Sequence, residues 1–341
     1  MRHFARWTVL ALIVAAADPA RGQPLTPVSI HTMNDVHNNG AAVGFGGSAY
    51  VYGGDRGGSK TQVLERYNAA ADTWTRLADT PPAVSGFGKF ALSGGLYLVG
   101  GEGPLGGYFH DEVYRYDVAT DAWAQMADFP TRIWDPCTVV NDGKAYAIGG
   151  RHTYGGTYDH VYVYSEAGDS WSAVAPLPVS LFLTHPVGYG GEIWLFGGYH
   201  KPDEPSGTLL TEIRVYDPAA NAWRTEGSTP VTLSYPAAAV WHDRIWVFSP
   251  GVHNPSTGGT DPNPYAYEFD PATDTWTTHE FTPPVAWGPH NGVPIVDGWA
   301  YFTRASGGTA AFKVAVPEPA TLMLLAAAAP ALIRRRRRRV P

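Results

Sequence analysis

The chain has 341 residues, a formal net charge of −7 and one cysteine, Cys137. A single cysteine excludes an intramolecular disulfide framework. The acidic balance disfavours DNA, RNA and anionic lipid as partners, because their phosphates carry the same sign of charge.

The N-terminal segment predicts a secretory signal peptide over residues 1–22. Arg2 and Arg6 precede an apolar stretch from Trp7 to Ala17, and Ala20-Arg21-Gly22 forms a candidate cleavage site. A basic start, an apolar centre and small residues at the cleavage point are typical of exported proteins.

From residue 40 to residue 314 one sequence unit recurs about every 50 residues. Its clearest mark is an aromatic residue followed seven positions later by tryptophan. A fixed offset at such a period indicates stacked repeat units. The five pairs are Tyr67/Trp74, Tyr116/Trp123, Tyr164/Trp171, Tyr216/Trp223 and Phe269/Trp276.

Each unit is predicted to contain four strands. One apolar run ends at a turn dipeptide such as Gly46-Gly47, a second ends in a glycine pair, a third ends in the aromatic, and a fourth opens at the tryptophan. Such dipeptides favour two-residue hairpins because they tolerate positive φ. Acidic residues between the aromatic and the tryptophan, as in Asp217-Pro218-Ala219-Ala220-Asn221, are interpreted as turn formers. One antiparallel four-stranded sheet per unit is a propeller blade.

This pattern resembles the Kelch repeats, in which an apolar strand ends in Gly-Gly and is followed by Tyr-Asp and then Trp. The resemblance implies an all-β fold, a Kelch β-propeller over residues 23–315. A sixth unit is incomplete, with strands expected at Val293 to Val296, Trp299 to Arg304 and Thr309 to Val314. Thr26 to Met33, apolar at alternate positions, is expected to supply its missing strand. We therefore expect six four-stranded antiparallel blades, the last one completed by the N-terminal strand.

Ligand-binding residues are expected in the loops after the glycine pairs and in the segments that lead into the first strands. In the fifth unit Ser249-Pro250 replaces the glycine pair. The loops are uneven, since the offset to the aromatic grows from 13 residues after Gly54 to 19 after Pro250. Variable loops commonly carry function. Their His, Arg and aromatic side chains suit sugar rings and hydroxyls, so polysaccharide or a surface protein is the expected ligand. The candidates are His37, Arg56, Glu102, Arg132, Trp134, Arg151, His152, His185, His200, Tyr235, His253, Trp287 and His290.

An enzyme acting on carbohydrate at the same loops is the alternative. One possibility is the activity of the periplasmic Kelch family that interconverts sialic acid anomers, for which an Arg would hold a carboxylate and an acid or base would move a proton. Arg151, Glu102 and His152 could take those roles. The sequence contains no catalytic motif, so we assign no catalytic residue and favour a non-catalytic binding protein.

Metal and cofactor chemistry has weaker support. A copper radical oxidase of the galactose oxidase type shares the broad fold but needs a cysteine crosslinked to a tyrosine, and Cys137 is better explained as a small core residue. Three His-Asn pairs, at His37, His253 and His290, lack the short spacing of a metal site. We therefore expect no metal and no cofactor.

Residues 316–341 resemble a PEP-CTERM sorting signal. Pro317-Glu318-Pro319 precedes a short apolar run, residues 320–333, and six arginines. The resemblance implies processing by an exosortase-type enzyme, transient insertion of residues 320–333 into the inner membrane, and display on the outer surface or in the extracellular matrix of a Gram-negative bacterium. A permanent anchor is disfavoured, because 14 residues give about 21 Å of helix against an apolar core of about 30 Å. The exported body is expected to be a monomer.

Overall fold

The computed structural model describes residues 20–104, 106–153, 155–202, 207–254, 256–257, 259–284, 287, 292–303 and 308–317. The predictions for most of the signal peptide, for His290, and for the tail from Glu318 and Pro319 through residues 320–333 lie outside these residues. Within the described part the chain forms strands and turns, and no helix there is long and apolar enough to cross a membrane.

The predicted antiparallel four-stranded sheets are confirmed, and each is built mostly from consecutive strands. Sheet 1 contains β3 (Ala41–Phe45), β4 (Ser48–Tyr52), β7 (Leu64–Asn68) and β8 (Thr73–Arg76). Sheet 2 contains β9 (Gly88–Leu92), β10 (Gly95–Glu102), β11 (Phe109–Asp117) and β12 (Ala122–Met126). Sheet 3 contains β13 (Cys137–Asn141), β14 (Lys144–Ile148), β15 (Val161–Ser165) and β16 (Ser170–Ala173).

The remaining sheets follow the same order along the chain, with additions from the N-terminus. Sheet 4 contains β17 (Val187–Tyr189), β18 (Glu192–Phe196), β21 (Glu212–Asp217) and β22 (Ala222–Ser228). Sheet 5 contains β24 (Ala237–Trp241), β25 (Arg244–Phe248), β28 (Tyr265–Asp270) and β29 (Thr275–Glu280), with β1 (Ala20–Arg21) added in parallel to β29. Sheet 6 contains β30 (Ile295–Val296), β31 (Trp299–Thr303), β32 (Ala311–Ala315) and β2 (Pro27–Ile30).

Short strands that the sequence did not predict lie in the loops. They are β5 (Asp55–Arg56), β6 (Ser59–Lys60), β19 (Tyr199–His200), β20 (Thr208–Leu209), β23 (Leu233–Ser234), β26 (Gly251–His253) and β27 (Thr260–Pro262). Two strands of the incomplete unit have bounds that differ from the predicted ones. The strand expected at Val293–Val296 covers only Ile295–Val296 (β30). The strand expected at Thr309–Val314 covers Ala311–Ala315 (β32). At the two ends of the described chain, β1 pairs with sheet 5 and Val316 is buried in a core cluster.

Strand register explains the aromatic and tryptophan offset. Tyr67 and Trp74 are direct partners across β7 and β8, and their rings lie 5.1 Å apart. Residues 69–72 form the turn between β7 and β8. Because Tyr67 and Trp74 are direct partners on either side of this turn, they are seven positions apart in the sequence. The same pairing holds for Tyr116 with Trp123 and for Phe269 with Trp276.

The hydrophobic cores lie between neighbouring sheets. Tyr67 of sheet 1 lies 5.6 Å from Tyr301 of sheet 6, and Tyr97 of sheet 2 lies 5.8 Å from Tyr164 of sheet 3. One sheet cannot bury such rings alone, so each face is covered by the next sheet, as in other propellers.

A repeated hydrogen-bond connector joins each of the first four sheets to the segment before it. In sheet 2, Asp121 Oδ1 accepts from the Tyr116 hydroxyl (2.8 Å) and from the Ala78 backbone N–H (2.8 Å), while the Trp123 indole donates to the Ala78 carbonyl (3.0 Å). Sheets 3 and 4 repeat the arrangement at Ala127 and Ala175. The turn residues are thus structural, as predicted, and they also bind the sheets to one another.

Candidate functional site

The two predicted loop classes meet at one edge of the sheets. In each of the first four sheets the residue after the glycine pair forms a β-bridge with the segment that leads into the first strand. Both glycines of a pair have positive φ, +60° and +104° at Gly53 and Gly54, and a Cβ on Gly54 would lie 2.6 Å from the carbonyl oxygen of Asn38. Glycine is therefore required for this close approach. The bridges are Asn38 with Asp55, Ser85 with Glu102, Trp134 with Arg151, and Phe182 with Tyr199.

In the first four sheets the residue after the lead-in partner of this bridge has a left-handed backbone, and in sheet 5 so does Tyr235, which follows β23. These residues are Asn39 (φ 54°), Gly86 (57°), Asp135 (50°), Leu183 (60°) and Tyr235 (56°). The N–H of Gly86 donates to the Asn39 carbonyl (2.7 Å), and the N–H of Asp135 donates to the Gly86 carbonyl (2.6 Å), which links successive sheets. Non-glycine residues in this conformation are strained and concentrate at functional sites. We call this row of residues the constriction.

A pocket of about 440 Å³ lies beside the constriction, and we call it the mouth pocket. This volume falls within the range of ordinary small-molecule sites. Among the described lining residues none carries a carboxylate, whereas Arg151 and Lys201 are basic, although the chain as a whole is acidic. The lining residues are Asn39, Trp134, Arg151, Phe182, Leu183, Tyr199, Lys201, Leu209, Ser234, Tyr235, His253 and Thr260.

Aromatic rings form one wall of the mouth pocket. The Trp134 ring lies 6.3 Å from Phe109 and 5.7 Å from Phe182, and Phe182 lies 5.6 Å from Tyr199. The Arg151 guanidinium lies 5.8 Å from the Trp134 ring, and its Nε donates to the Gly155 carbonyl at 3.2 Å. A cation held beside ring faces can stack on an apolar surface and bond an oxygen of the same ligand.

Tyr235 completes the pocket as a hydroxyl donor. Burial, with smaller contributions from Tyr199 and Asp135, raises the pKa of Tyr235. Its phenol therefore stays protonated at neutral pH and can donate a hydrogen bond.

The structure thus brings Trp134, Arg151, Tyr235 and His253 of the predicted set together in one pocket. Phe182, Tyr199 and Lys201 also line it and were missing from the candidates. One signal for Tyr199 was available, since it follows its glycine pair as Arg151 does.

Several other candidates lie on the rim, where they contact neighbouring loops. Arg56 pairs with Asp35 (3.1 Å), and Glu102 pairs with Lys60 (3.2 Å). Arg132 lies over the Tyr108 ring at 4.7 Å, and His152 lies 5.3 Å from the Tyr158 ring. His200 Nδ1 donates to the Ser180 carbonyl (2.6 Å). None of these five lines the mouth pocket.

Three further candidates lie inside the fold. His37 is buried, its Nδ1 bonds to the Gly53 carbonyl (2.8 Å), and burial lowers its pKa to about 4. Trp287 is buried in the core 5.1 Å from Phe302. His185 lines a second cavity between the first strands.

No metal centre is assembled among the described residues. Three of the candidate histidines lie in different environments and do not converge on one point. His37 is buried, His185 lines the second cavity and His253 lines the mouth pocket. Cys137 is a buried free thiol within a core cluster, and burial raises its pKa to about 12. A thiol in this state is a packing residue rather than a ligand or nucleophile.

Comparison with known proteins agrees with the sheet architecture. The family model described as Attractin/LZTR1 beta-propeller matches residues 49–287, more than half of the chain. The solved structure titled "Structure of YjhT" is similar, with a TM-score of 0.60 at 15% sequence identity over 72% of this chain and 84% of that chain. At this identity the similarity concerns the fold alone. No curated protein sequence matches the chain.

Proposed function

The chain belongs to the Attractin/LZTR1 β-propeller family, which establishes a propeller of Kelch type, and we propose that it is a non-catalytic binding protein that holds a saccharide in the mouth pocket. The observation that carries this proposal is the pocket lining. Arg151, Lys201 and Tyr235 offer hydrogen-bond donors beside the aromatic wall of Trp134 and Tyr199. Aromatic faces stack on the apolar faces of sugar rings, while donors bond the ring hydroxyls. A polysaccharide of the cell surface or matrix is the ligand class that this lining favours.

We further propose that the propeller has six blades and is closed. Support comes from the first strands, which contact one another in the order β3, β9, β13, β17, β24 and β30, while β30 also contacts β3. Residues 27–30 pair with residues 311–314 as the outer strand of sheet 6. His31, directly after that strand, makes the repeated connector to Asp72 and Trp74 of sheet 1.

Glycan-array binding tests the proposed function. We expect the wild-type protein to bind a subset of surface polysaccharides without changing them. Arg151→Ala and Lys201→Ala should each weaken binding about tenfold, since a charge-assisted hydrogen bond is worth roughly 1.5–3 kcal/mol. Arg132→Ala is the matched control, because Arg132 lies on the rim over Tyr108. Equal binding by all four proteins would exclude the mouth pocket as the site.

A carbohydrate-active enzyme is the second candidate. The pocket favours it only through Arg151, which could hold a carboxylate beside the protonated phenol of Tyr235. The acid and base proposed from the sequence, Glu102 and His152, lie outside the pocket. NMR of a bound sugar distinguishes the two functions, because turnover that is lost in Arg151→Ala supports the enzyme.

We also propose that the protein is exported and sorted. The support is the sequence alone, with a signal peptide at residues 1–22 and a PEP-CTERM-like tail at residues 316–341. An exosortase-type enzyme would process the tail after residues 320–333 enter the inner membrane. Cell fractionation of the protein with and without Pro317-Glu318-Pro319 measures this, and identical distribution of the two forms would contradict it.

A further inference from the structure

A second cavity, which we call the axial cavity, lies between the first strands and has a volume of about 330 Å³. All six sheets or their lead-in segments contribute to its wall, and most of the lining residues are apolar and small. The lining includes Gly44, Gly188 and Val240, each of which lies two residues before a first hairpin turn. The cavity therefore opens on the face that carries these turns, which we call the turn face, whereas the mouth pocket lies at the other ends of the first strands. An open apolar concavity is typical of an interaction site.

The described chain ends beside this opening. The N–H of Val316 donates to the carbonyl of Gly298 (2.9 Å), and Gly298 belongs to the first hairpin turn of sheet 6. A Cβ built on Gly298 would lie 3.1 Å from the ring of Trp241, which directly follows Val240 of the cavity wall. Pro317, the last described residue, therefore leaves the propeller on the turn face and close to the axial cavity.

An apolar segment begins a few residues after this exit point. Four residues, 318–321, separate Pro317 from the run Leu322-Met323-Leu324-Leu325. Extended chain covers up to about 3.5 Å per residue, so these residues span roughly 15 Å, which exceeds the spacing of about 10 Å between packed sheets. The run can therefore reach the opening. Its side chains gain free energy when they leave water for an apolar surface such as the cavity wall.

The charges of the turn face complement those of the tail. Asp142, Asp243 and Asp297 are exposed and lie in the first hairpin turns of sheets 3, 5 and 6. The turns between the third and fourth strands add further carboxylates to this face, so the neighbouring Lys144 leaves it acidic. The tail carries six consecutive arginines, residues 334–339. Guanidinium groups bond carboxylates in bidentate fashion, and the attraction acts over about 10 Å at moderate salt.

We propose that the C-terminal tail folds back on the turn face of its own chain. Residues 322–325 cover the axial cavity, and the arginines lie against the acidic turns. This cap keeps the apolar run out of water until it meets a membrane, and the cavity and the membrane then compete for the same residues. The proposal does not rest on saccharide binding, because the tail leaves from the face opposite the mouth pocket.

Disulfide crosslinking in the full chain, kept free of lipid and detergent, tests the cap. Leu324→Cys is combined with Val240→Cys in the cavity wall and oxidised with copper phenanthroline, while the natural Cys137 is buried. Leu324→Cys with Leu209→Cys is the matched control, because Leu209 is half-buried like Val240 but lines the mouth pocket. We expect the first pair to crosslink at least fivefold faster than the control, at a rate that is independent of protein concentration. In 1 M salt, where the screening length is about 3 Å, this rate should fall at least twofold.

Equal crosslinking rates for the two pairs, or disulfides that form only between copies of the chain, would overturn the proposal. A rate that is unchanged in 1 M salt would contradict the contacts between the arginines and the acidic turns. Val43→Cys, on the sheet 1 side of the same cavity, is a second position for the crosslink, so the test does not depend on the folding of one variant. Glycan binding should be equal in the wild type and in Leu324→Cys, and this measurement separates a failure of the cap from a failure of the proposed function.

Discussion

At the scale of single residues, Glu65 makes the stability of sheet 1 depend on pH. This carboxyl is fully buried, its Oε2 accepts from the Asn34 N–H (3.0 Å), and its Oε1 has no hydrogen-bond partner among the described residues. Burial raises the pKa of Glu65 above its usual 4.5, and the neighbouring Asp35 adds to this. The folded state therefore binds this proton more tightly than the unfolded state does. The resulting stability is present below the unfolded pKa and is lost as pH rises through the folded pKa.

Glu65→Gln should remove this pH-dependent loss, because the amide stays neutral while its oxygen still accepts from Asn34. We expect the variant to be roughly 1 kcal/mol more stable than the wild type at pH 8, with a smaller difference at pH 4.5. Guanidinium unfolding of both proteins at pH 8 and pH 4.5 measures the difference in the free energy of unfolding at each pH. The exposed Glu280→Gln is the matched control and should change stability by less than about 0.5 kcal/mol. A variant less stable than wild type at pH 8 would show that the charged carboxylate is the favoured form.

At the scale of elements, the connector between sheets accounts for the aspartate or asparagine that lies two positions before the tryptophan in sheets 1 to 4. Asp121→Ala should lower the free energy of unfolding by about 2–3 kcal/mol, because both the Tyr116 hydroxyl and the Ala78 N–H lose their acceptor. Asp274→Ala in sheet 5 is the control. It has the same φ of 52°, but position 269 is phenylalanine and has no hydroxyl to donate. Chemical denaturation compares the two, and equal losses would mean that backbone strain alone explains this residue.

The sequence predicted the strands and sheets well because their signals are local. The turn dipeptides, the glycine pairs and the offset of Tyr67 from Trp74 all arise within a few residues of one hairpin. The connector escaped prediction, since Asp121 bonds a backbone N–H 43 residues away, and a backbone group has no mark in the sequence.

The mouth pocket was only partly predictable for a similar reason. It combines Trp134 and Arg151 from the loops of sheet 3 with Tyr199 from the loop after the second strand of sheet 4 and Tyr235 before sheet 5. Membership therefore depends on how loops of different sheets meet. His37 shows the opposite error, because its lead-in segment has a loop-like sequence but its ring is buried against Gly53.

At the scale of the whole molecule, the central issue is how the ends of the chain are held together. The N-terminal strand β2 pairs with β32, which is the last strand described, and His31 then ties this sheet to sheet 1. If this pairing closes a ring, the molecule has no open sheet faces between its first and last repeats, and both cavities keep complete walls. The stability of the ring would then depend on one antiparallel strand pair.

A disulfide across that pair tests closure. Val28 and Lys313 are register partners, Val28 is 44% exposed, and the natural Cys137 is buried and cannot compete. We expect Val28→Cys with Lys313→Cys to oxidise readily and to raise Tm, since crosslinking a loop of this length stabilises by about 5 kcal/mol in the chain-entropy model. The reduced form of the same variant is the control for Tm. Val28→Cys with Lys144→Cys is the control for crosslinking, because Lys144 lies in sheet 3 and has no contact with β2 in the register. Equal crosslinking of the two variants would show that the N-terminal strand is not held on sheet 6, and the closed ring would then have to be abandoned.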